Sequence, residues 1–127
     1  MIKVVIDTNI LVSALLSPFG APGRILDMII SGNLIVCYDS RILVEYKDVL
    51  ERPKFGFSRN DVISIIDFIC TNGVSVIAVP LAIELPDEDD RVFLEVTRQC
   101  DAYLITGNMK HYPEDERIVT AVQFLNL

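Results

Sequence analysis

Short apolar segments alternate with helix-like segments along the whole chain. The segments at 2–6, 34–38, 74–79 and 102–106 are rich in β-branched residues, and a fifth lies at 118–121. Their nearly continuous hydrophobicity is typical of strands that are covered on both faces. Strands that alternate with helices form a mainly parallel sheet between helical layers. The pattern therefore predicts a three-layer α/β/α sandwich with a mainly parallel four- to five-stranded sheet, in one domain over residues 1–127.

Apolar residues at helical spacing separate the strands, and capping residues and breakers mark the helix ends. The predicted helices cover 10–15, 21–31, 40–52, 58–72 and 87–99. Thr8 or Asn9 is predicted to cap the first helix, and Asp39 or Ser40 the third. The residues after 121 are predicted to form a short tail.

The composition bounds the class of protein. Hydrophobic residues make up 51% of the chain, and the mean hydropathy is +0.42. No apolar run reaches the roughly 20 residues that a membrane-spanning helix needs. The first residues do not have the pattern of a signal peptide, so we expect a soluble cytoplasmic protein with no membrane partner. The surplus of apolar residues on a small domain predicts a subunit interface and a homodimer.

The three cysteines, Cys37, Cys70 and Cys100, are widely spaced, and none forms a C-x-x-C pair. This spacing argues against a disulfide framework and against a zinc ribbon. Each cysteine lies in an apolar stretch, so we expect three buried free thiols.

The formal net charge of −7 opposes binding to a polyanion. Two arrangements would reconcile this charge with a nucleic-acid substrate. The acids can be clustered and neutralised by bound cations, and a few local basic residues can hold the phosphate backbone.

Several acids fall where predicted strands end or helices begin. Asp7 directly follows the first strand, and Glu45 lies about 1.5 turns into the helix after the second strand. The acidic run 87–90 opens the helix before the fourth strand, and the segment 106–108 follows that strand. Ligands of parallel sheets collect at the carboxyl ends of the strands, so we expect these groups to converge on one edge.

Carboxylates that share a cleft raise one another's pKa, and a divalent cation removes that cost. Oxygen ligands select Mg²⁺ or Mn²⁺. Structural explanations compete with a metal site. Acids stabilise helix N-termini, and this explanation suffices for Glu88. Glu45 lies within a helix and is by default a solvated surface acid. Asp7 is harder to explain in that way. A carboxylate beside an apolar strand would be partly buried and would need a partner.

With these positions in place, the chain resembles the PIN-domain nucleases, and within them the toxin-like (VapC-type) prokaryotic branch. The resemblance covers nearly the whole chain. It rests on an ordered set of segments: VVIDTNILVSA at the N-terminus, the helical Glu45, PDEDDRVFLE and DAYLITGN. The order and spacing of the set carry the resemblance, since DTN alone is a weak motif.

The resemblance implies a site at the carboxyl edge of the sheet that binds Mg²⁺ or Mn²⁺. It assigns Asp7, Glu45 and Asp90 as the catalytic, metal-binding acids. It implies a metal-dependent endoribonuclease that hydrolyses RNA phosphodiester bonds. It further implies the toxin component of a type II toxin–antitoxin system, with a cognate antitoxin protein as partner and a homodimeric state.

The resemblance also assigns supporting residues around these acids, namely Thr8, Asn9, Ser13, Thr106 and Asn108. Asn9 would hold the loop and orient Asp7, and Ser13 would face the site. Thr106 would orient an acid or the substrate, or else is an ordinary hydroxyl at a strand end. Asn108 stands where the family has a fourth acid, which puts a second, tightly held metal in doubt. Two acids are candidates to supply the missing charge, Asp87 and Asp89.

Basic residues near these segments are candidates for substrate contacts: Lys110, His111, Arg52 and Lys54. A lone loop histidine is more often a bystander. Arg52 and Lys54, with Phe55 and Phe57, have two interpretations. They form a surface that tracks and stacks nucleic acid, or a helix connection with aromatic anchors in the core, and the second is favoured.

The remaining conspicuous residues have structural interpretations. Tyr38, Tyr46 and Tyr103 are expected to pack in the interior. Asp101 is expected to be a turn or cap residue at the opposite edge of the sheet from the site.

Other functions fit the sequence less well. A receiver or aspartyl-phosphatase site would need a second Asp two residues after the first, and that position is Asn9. No G-x-G-x-x-G follows the first strand, so a dinucleotide site is disfavoured. A catalytically weak or degenerate PIN scaffold that binds RNA or protein stays open as the alternative, because of Asn108 and the acidic charge.

Overall fold

In the computed structural model, which describes residues 1–127, five parallel strands form one sheet flanked by helices. The strands are β1 (Ile2–Ile6), β2 (Leu34–Tyr38), β3 (Val74–Ser75), β4 (Tyr103–Ile105) and β5 (Ile118–Val119). Their order in the sheet is β3-β2-β1-β4-β5. The predicted α/β class, the parallel sheet and the fifth strand are confirmed.

Six helices connect and cover the strands. They are α1 (Thr8–Leu16), α2 (Ala21–Ile30), α3 (Ser40–Leu50), α4 (Arg59–Asn72), α5 (Arg91–Cys100) and α6 (Ala121–Leu125). Short 3-10 turns cover Pro53–Phe55, Glu88–Asp90 and Met109–His111. The predicted short tail is wrong, because Thr120 caps α6 through a reciprocal pair of hydrogen bonds with Gln123.

The central strand β1 pairs with β2 on one side and with β4 on the other. Val4 is opposite Val36 in one ladder and opposite Tyr103 in the other. Val4 and Val5 are fully buried in a core of 29 apolar residues. Burying such a side chain is worth about 1.5–3 kcal/mol. The core therefore holds the end of β1 rigidly, and Asp7 is the next residue along the chain.

The third strand is shorter than the sequence predicts, and the range 74–79 is wrong beyond Ser75. After one more backbone bond, from the Val76 N–H to the Tyr38 carbonyl, side chains replace the ladder. The Ala78 N–H donates to Asp39 at 2.9 Å, and the Leu81 N–H donates to Glu95 at 2.9 Å. Buried carboxylates thus satisfy amides that a longer strand would have paired with β2.

Two predicted caps have different outcomes. Asp39 caps α3 by accepting the Arg41 N–H at 2.9 Å, as predicted. The prediction of Thr8 or Asn9 as the cap of α1 is wrong, because Asp7 occupies the N-cap position and makes no side-chain cap bond. Its carboxylate is turned towards the end of β4.

Tight local geometry sets two of the connections. A Cβ on Gly23 would lie 2.1 Å from the Pro18 carbonyl oxygen, so only glycine allows α2 to approach the turn after α1. Gly56 has φ +68°, in the left-handed region, and reverses the chain after the 3-10 turn that ends at Phe55.

The cysteines correct one expectation. Cys37 is buried and Cys100 is half-buried, but Cys70 is exposed on α4. Burial raises the pKa of the Cys37 thiol to about 12, and its neighbour Cys100 adds to the rise. All three are free thiols, as predicted. None of the helices has the length and apolar character needed to cross a bilayer.

Candidate active site

An open cleft of about 230 Å³ lies where β1 and β4 end. Acidic residues dominate its lining: Asp7, Glu45, Asp87, Asp89 and Asp90. The rest of the lining is Thr8, Asn9, Val49, Arg52, Lys54, Phe55, Asn108 and His111. Residues that are far apart in sequence meet here because parallel strands end on the same edge of the sheet.

Asp7 is the deepest acid of the cleft, with only 7% of its surface exposed. Its backbone N–H continues the sheet by donating to the Ile105 carbonyl at 3.0 Å. Its carboxylate accepts hydrogen bonds from the Thr106 hydroxyl at 2.8 Å and from the Tyr112 hydroxyl at 3.4 Å. The bond from Thr106 fixes the carboxylate at the end of β4.

Glu45 reaches the cleft from the middle of α3 and is half-buried. The buried Thr8 hydroxyl donates a hydrogen bond to its carboxylate. Burial raises the pKa of Glu45, and the charges of Asp7, Asp89 and Asp90 raise it further. The default expectation of a solvated surface acid is therefore wrong for this residue.

Asp90 lies at the start of α5 and pairs with His111. The distance from His111 Nδ1 to Asp90 Oδ2 is 2.9 Å, and Asn108 Nδ2 lies 2.9 Å from His111 Nε2. With the Asn108 amide donating to Nε2, Nδ1 carries the proton that Asp90 accepts. Burial raises the pKa of Asp90, and the charges of Asp7 and Asp87 add to the rise.

The donor set of the cleft fits a divalent cation. No Lys or Arg forms an ion pair with Asp7, Glu45 or Asp90. The pKa values of Glu45 and Asp90 are raised by burial and by the neighbouring acids. Ligand atoms of Asp87, Asp90 and His111 already lie within 4.8 Å of one another. Carboxylates without a countercharge are stabilised when a hard cation binds between them.

Comparison with known proteins agrees with this geometry. A family model described as PIN domain matches residues 3–110. The chain belongs to the PIN-domain family. An uncharacterized protein of Methanocaldococcus jannaschii is 37% identical over 112 residues, which are 84% of this chain and 71% of that protein. The resemblance to PIN domains seen in the sequence is confirmed, and the match spans every acid of the cleft.

Membership in the family places the chain among nucleases that generally use divalent metals. PIN domains carry their acids at the carboxyl edge of a parallel sheet, and Asp7, Glu45 and Asp90 all line the cleft at that edge here. The two candidates to replace the charge of a fourth acid, Asp87 and Asp89, also line the cleft.

The supporting residues divide into those that reach the PIN cleft and those that do not. Thr106 donates to Asp7, which supports its role in orienting an acid. Asn9 lines the cleft but is exposed, and the hydrogen bonds to Asp7 come from Thr106 and from Tyr112 instead. Ser13 is exposed on α1 and is not part of the lining.

The basic residues proposed for substrate contacts also differ in whether they reach the cleft. His111, Arg52 and Lys54 line the PIN cleft, whereas Lys110 is exposed and lies outside the lining. Asp101 has the left-handed φ of 51° and ends α5, as expected of a cap residue.

Two tyrosines support the PIN site. Tyr112 was not singled out in the sequence, yet it is buried and donates to Asp7. Its pKa is raised by burial and by the charges of Asp7 and Asp90, so it stays a proton donor. Tyr46 packs in the interior as expected, and its hydroxyl donates to the Ile6 carbonyl directly beneath Asp7. No pattern in the sequence distinguishes Tyr112 from its neighbours in the loop.

Proposed function

We propose that this PIN domain is a divalent-metal-dependent endoribonuclease that hydrolyses RNA phosphodiester bonds. The observation that carries the proposal is the buried Asp7, which shares the cleft with Glu45 and Asp90 and has no basic partner. Such a group of acids is costly for the fold alone, since each carboxylate disfavours the ionisation of the others. The cost is offset when a cation binds.

Asp7, Glu45 and Asp90 would hold the cation, with Asp87 as a further donor. His111 Nε2 would join them once it is released from the Asn108 amide, while Nδ1 stays bonded to Asp90. A bound Mg²⁺ or Mn²⁺ supplies a Lewis acid that lowers the pKa of water and neutralises charge on the phosphate. The residues of the chain position these donors. Thr106 fixes Asp7 and Thr8 fixes Glu45, while His111 fixes Asp90.

The test is cleavage of single-stranded RNA with Mg²⁺ or Mn²⁺, with EDTA, and with the Asp7→Asn variant. We expect cleavage that EDTA and Asp7→Asn both abolish. The matched control is Asp67→Asn, which removes an exposed acid of α4 outside the cleft and leaves cleavage intact. Cleavage that survives Asp7→Asn would reject the proposed site.

The imidazole of His111 suggests a preference among cations. A nitrogen donor beside carboxylates favours transition ions such as Mn²⁺ over Mg²⁺, which prefers oxygen alone. The ratio of activity with Mn²⁺ to activity with Mg²⁺ is expected to fall in His111→Gln. An unchanged ratio would remove His111 from the set of donors.

Asn108 supports a second candidate function, a scaffold that binds RNA or protein without cutting. Its amide stands where the family places an acid, and it contacts His111 rather than a carboxylate. The scaffold predicts no cleavage and no rise in Tm when Mn²⁺ is added. The Asn108→Asp variant separates the two candidates, because it would raise the activity of a nuclease and would leave a scaffold inert.

We further propose that the chain is the toxin of a type II toxin–antitoxin pair, acting on RNA in the cytoplasm as a homodimer. Exposed apolar side chains support a protein interface, among them Phe19 at 97% exposure beside Leu16 at 55%. Induced expression in a bacterial host should arrest growth, and Asp7→Asn should relieve the arrest. Harmless expression at a high level would reject toxicity, and a monomeric mass by light scattering would reject the dimer.

A further inference from the structure

The acidic cleft has one wall of the opposite character. The connection between α3 and α4 contributes Arg52, Lys54 and Phe55 to the lining, facing a cleft whose other charged groups are mainly carboxylates. From this wall we infer a binding strip for single-stranded RNA, in which one unstacked base lies on the Phe55 ring and the adjoining phosphates lie on Lys54 and Arg52. The inference rests on the proposed function and names the residues that would hold an RNA strand beside the acids.

The Phe55 ring is held rigidly. It stacks on Phe57 with ring centroids 5.7 Å apart and an interplanar angle of 13°. The left-handed Gly56 between them turns the chain so that the two rings can stack. Phe57 faces a separate surface depression with Lys47 and Val62. Phe55 alone lines the cleft, so Phe57 supports a ring whose position is set before any ligand binds.

The cations of this wall are available to phosphate. Lys54 forms no ion pair with a carboxylate, and its Nζ lies over the Phe55 ring, 5.0 Å from the centroid. A base that stacks on this ring displaces the flexible ammonium towards the adjoining phosphate. Arg52 is 3.3 Å from Asp48, but both side chains are exposed, so the pair is weak and exchanges readily with a phosphate. A polyanion can therefore enter the cleft along this wall, while the carboxylates of the opposite side repel it.

The ring explains why the RNA is single-stranded. Bases in a duplex have both faces covered by their neighbours, whereas an unpaired base offers a free face to an aromatic side chain. Stacking is tolerant of sequence because every base has such a face. Phosphate contacts from Lys54 and Arg52 are also independent of sequence. The strip is thus expected to select strand form rather than base identity.

The experiment measures binding of a short single-stranded RNA, with a duplex of the same sequence as comparison, by fluorescence anisotropy in Mg²⁺. The Asp7→Asn background keeps the RNA intact. Phe55→Leu is expected to raise the Kd for the single strand by roughly tenfold or more, the loss of one base stack. Phe55→Tyr keeps a flat ring and should retain the affinity. Binding of the duplex should be the same in all three.

Matched controls locate the effect. Phe68→Leu makes the same substitution on a phenylalanine that is half-buried like Phe55 but lies away from the cleft, and it should leave the Kd unchanged. Lys54→Gln should reduce the salt dependence of binding by about one phosphate contact, a change of about 0.7 in slope. Lys47→Gln removes the same charge outside the cleft and should leave the salt dependence of binding unchanged.

The outcomes are decisive for the strip. A single-strand Kd that is unchanged in Phe55→Leu, or a Tyr variant as weak as the Leu variant, would overturn the inference. Equal preference for the duplex, or no measurable binding, would overturn it as well. The binding comparison does not depend on cleavage, so failure of the proposed function is seen in a separate assay. In that case, RNA stays intact when it is incubated with the unmodified protein and Mn²⁺.

Discussion

Asp7 and Asp39 occupy equivalent places in two neighbouring units of the fold. Each directly follows a central strand, β1 or β2, and each stands at the N-cap position of the next helix. Both are buried, with 7% and 4% of their surfaces exposed. Strand, acid and helix are thus arranged alike, and only the surroundings of the two carboxylates differ.

The partners of Asp39 satisfy its charge. It accepts N–H bonds from Arg41 and Ala78 and pairs with the Arg41 guanidinium at 3.1 Å. These contacts lower the pKa of Asp39 to about 2. Asp7 accepts bonds only from two hydroxyl groups and shares its cleft with further acids. A buried carboxylate with cationic and amide partners stabilises the fold, whereas one left among acids requires a ligand.

The largest expected effect distinguishes the two residues by activity. Asp7→Asn keeps the shape of the side chain but removes its charge, so nuclease activity should fall by roughly a hundredfold or more. Asp39→Asn should leave the activity of the folded protein unchanged. Initial rates on single-stranded RNA, normalised to the folded fraction, measure both. Equal losses in the two variants would break the comparison.

The second largest effect is on stability, where Asp39→Asn should be the more damaging of the two substitutions. Asp39→Asn should lower the free energy of unfolding by about 2 kcal/mol, because charge-assisted bonds to Arg41 and Ala78 are lost. Asp7→Asn should cost little or be stabilising without metal, since it relieves repulsion. Urea unfolding in EDTA gives both values. The control Asp48→Asn removes only an exposed ion pair and should change the free energy by less than about 0.5 kcal/mol.

The acid dependence of stability sharpens the role of Asp39. Its pKa is depressed in the folded state, from the ordinary 3.8 to about 2. Its contribution is therefore fully present above pH 3.8 and is lost as the pH falls through about 2. The size of the loss is about 2 kcal/mol by linkage. Unfolding curves recorded across this range should separate the natural chain from Asp39→Asn, and the two should converge at the acid end.

The smallest expected effect concerns Glu45, whose pKa is raised by burial and by the neighbouring acids. A group with a raised pKa stabilises the fold below its unfolded pKa and loses that contribution as the pH rises through the folded value. Glu45→Gln should therefore raise the Tm slightly at neutral pH in EDTA. Added Mn²⁺ should raise the Tm of the natural chain more than that of the variant. A fall in Tm without metal would contradict the assignment.

The sequence predicts the fold well because each strand and helix carries its own periodicity and end signals. The parallel class, the fifth strand and the Asp39 cap needed only local patterns. The end of β3 could not be predicted, since it depends on side-chain acceptors that are distant in sequence. Asp39 accepts an N–H from 39 residues away, and Glu95 accepts one from 14 residues away. The cap of α1 was missed for the same kind of reason, as the carboxylate of Asp7 bonds to Thr106.

The sequence predicts the convergence of the acids and part of their support, since Thr8 bonds to Glu45 and Thr106 bonds to Asp7. Asp7, Glu45 and Asp90 belong to an ordered motif, and a motif can be read from one sequence. Tyr112 has no such signal, because its bond to Asp7 spans 105 positions along the chain. The sequence favours Phe55 as an aromatic anchor in the core, and in the structure the half-buried ring packs against the core and also lines the cleft.

The pairing of β1 with β4 determines when the cleft can form during synthesis of the chain. Asp7 is made early, but Thr106, which fixes it, follows 99 positions later, and Tyr112 later still. Contacts at such separations form late because a long loop must first close. During translation the nascent chain therefore carries the first acid exposed and unsupported. The cleft can therefore take its final form only after the segment 106–112 has been synthesised.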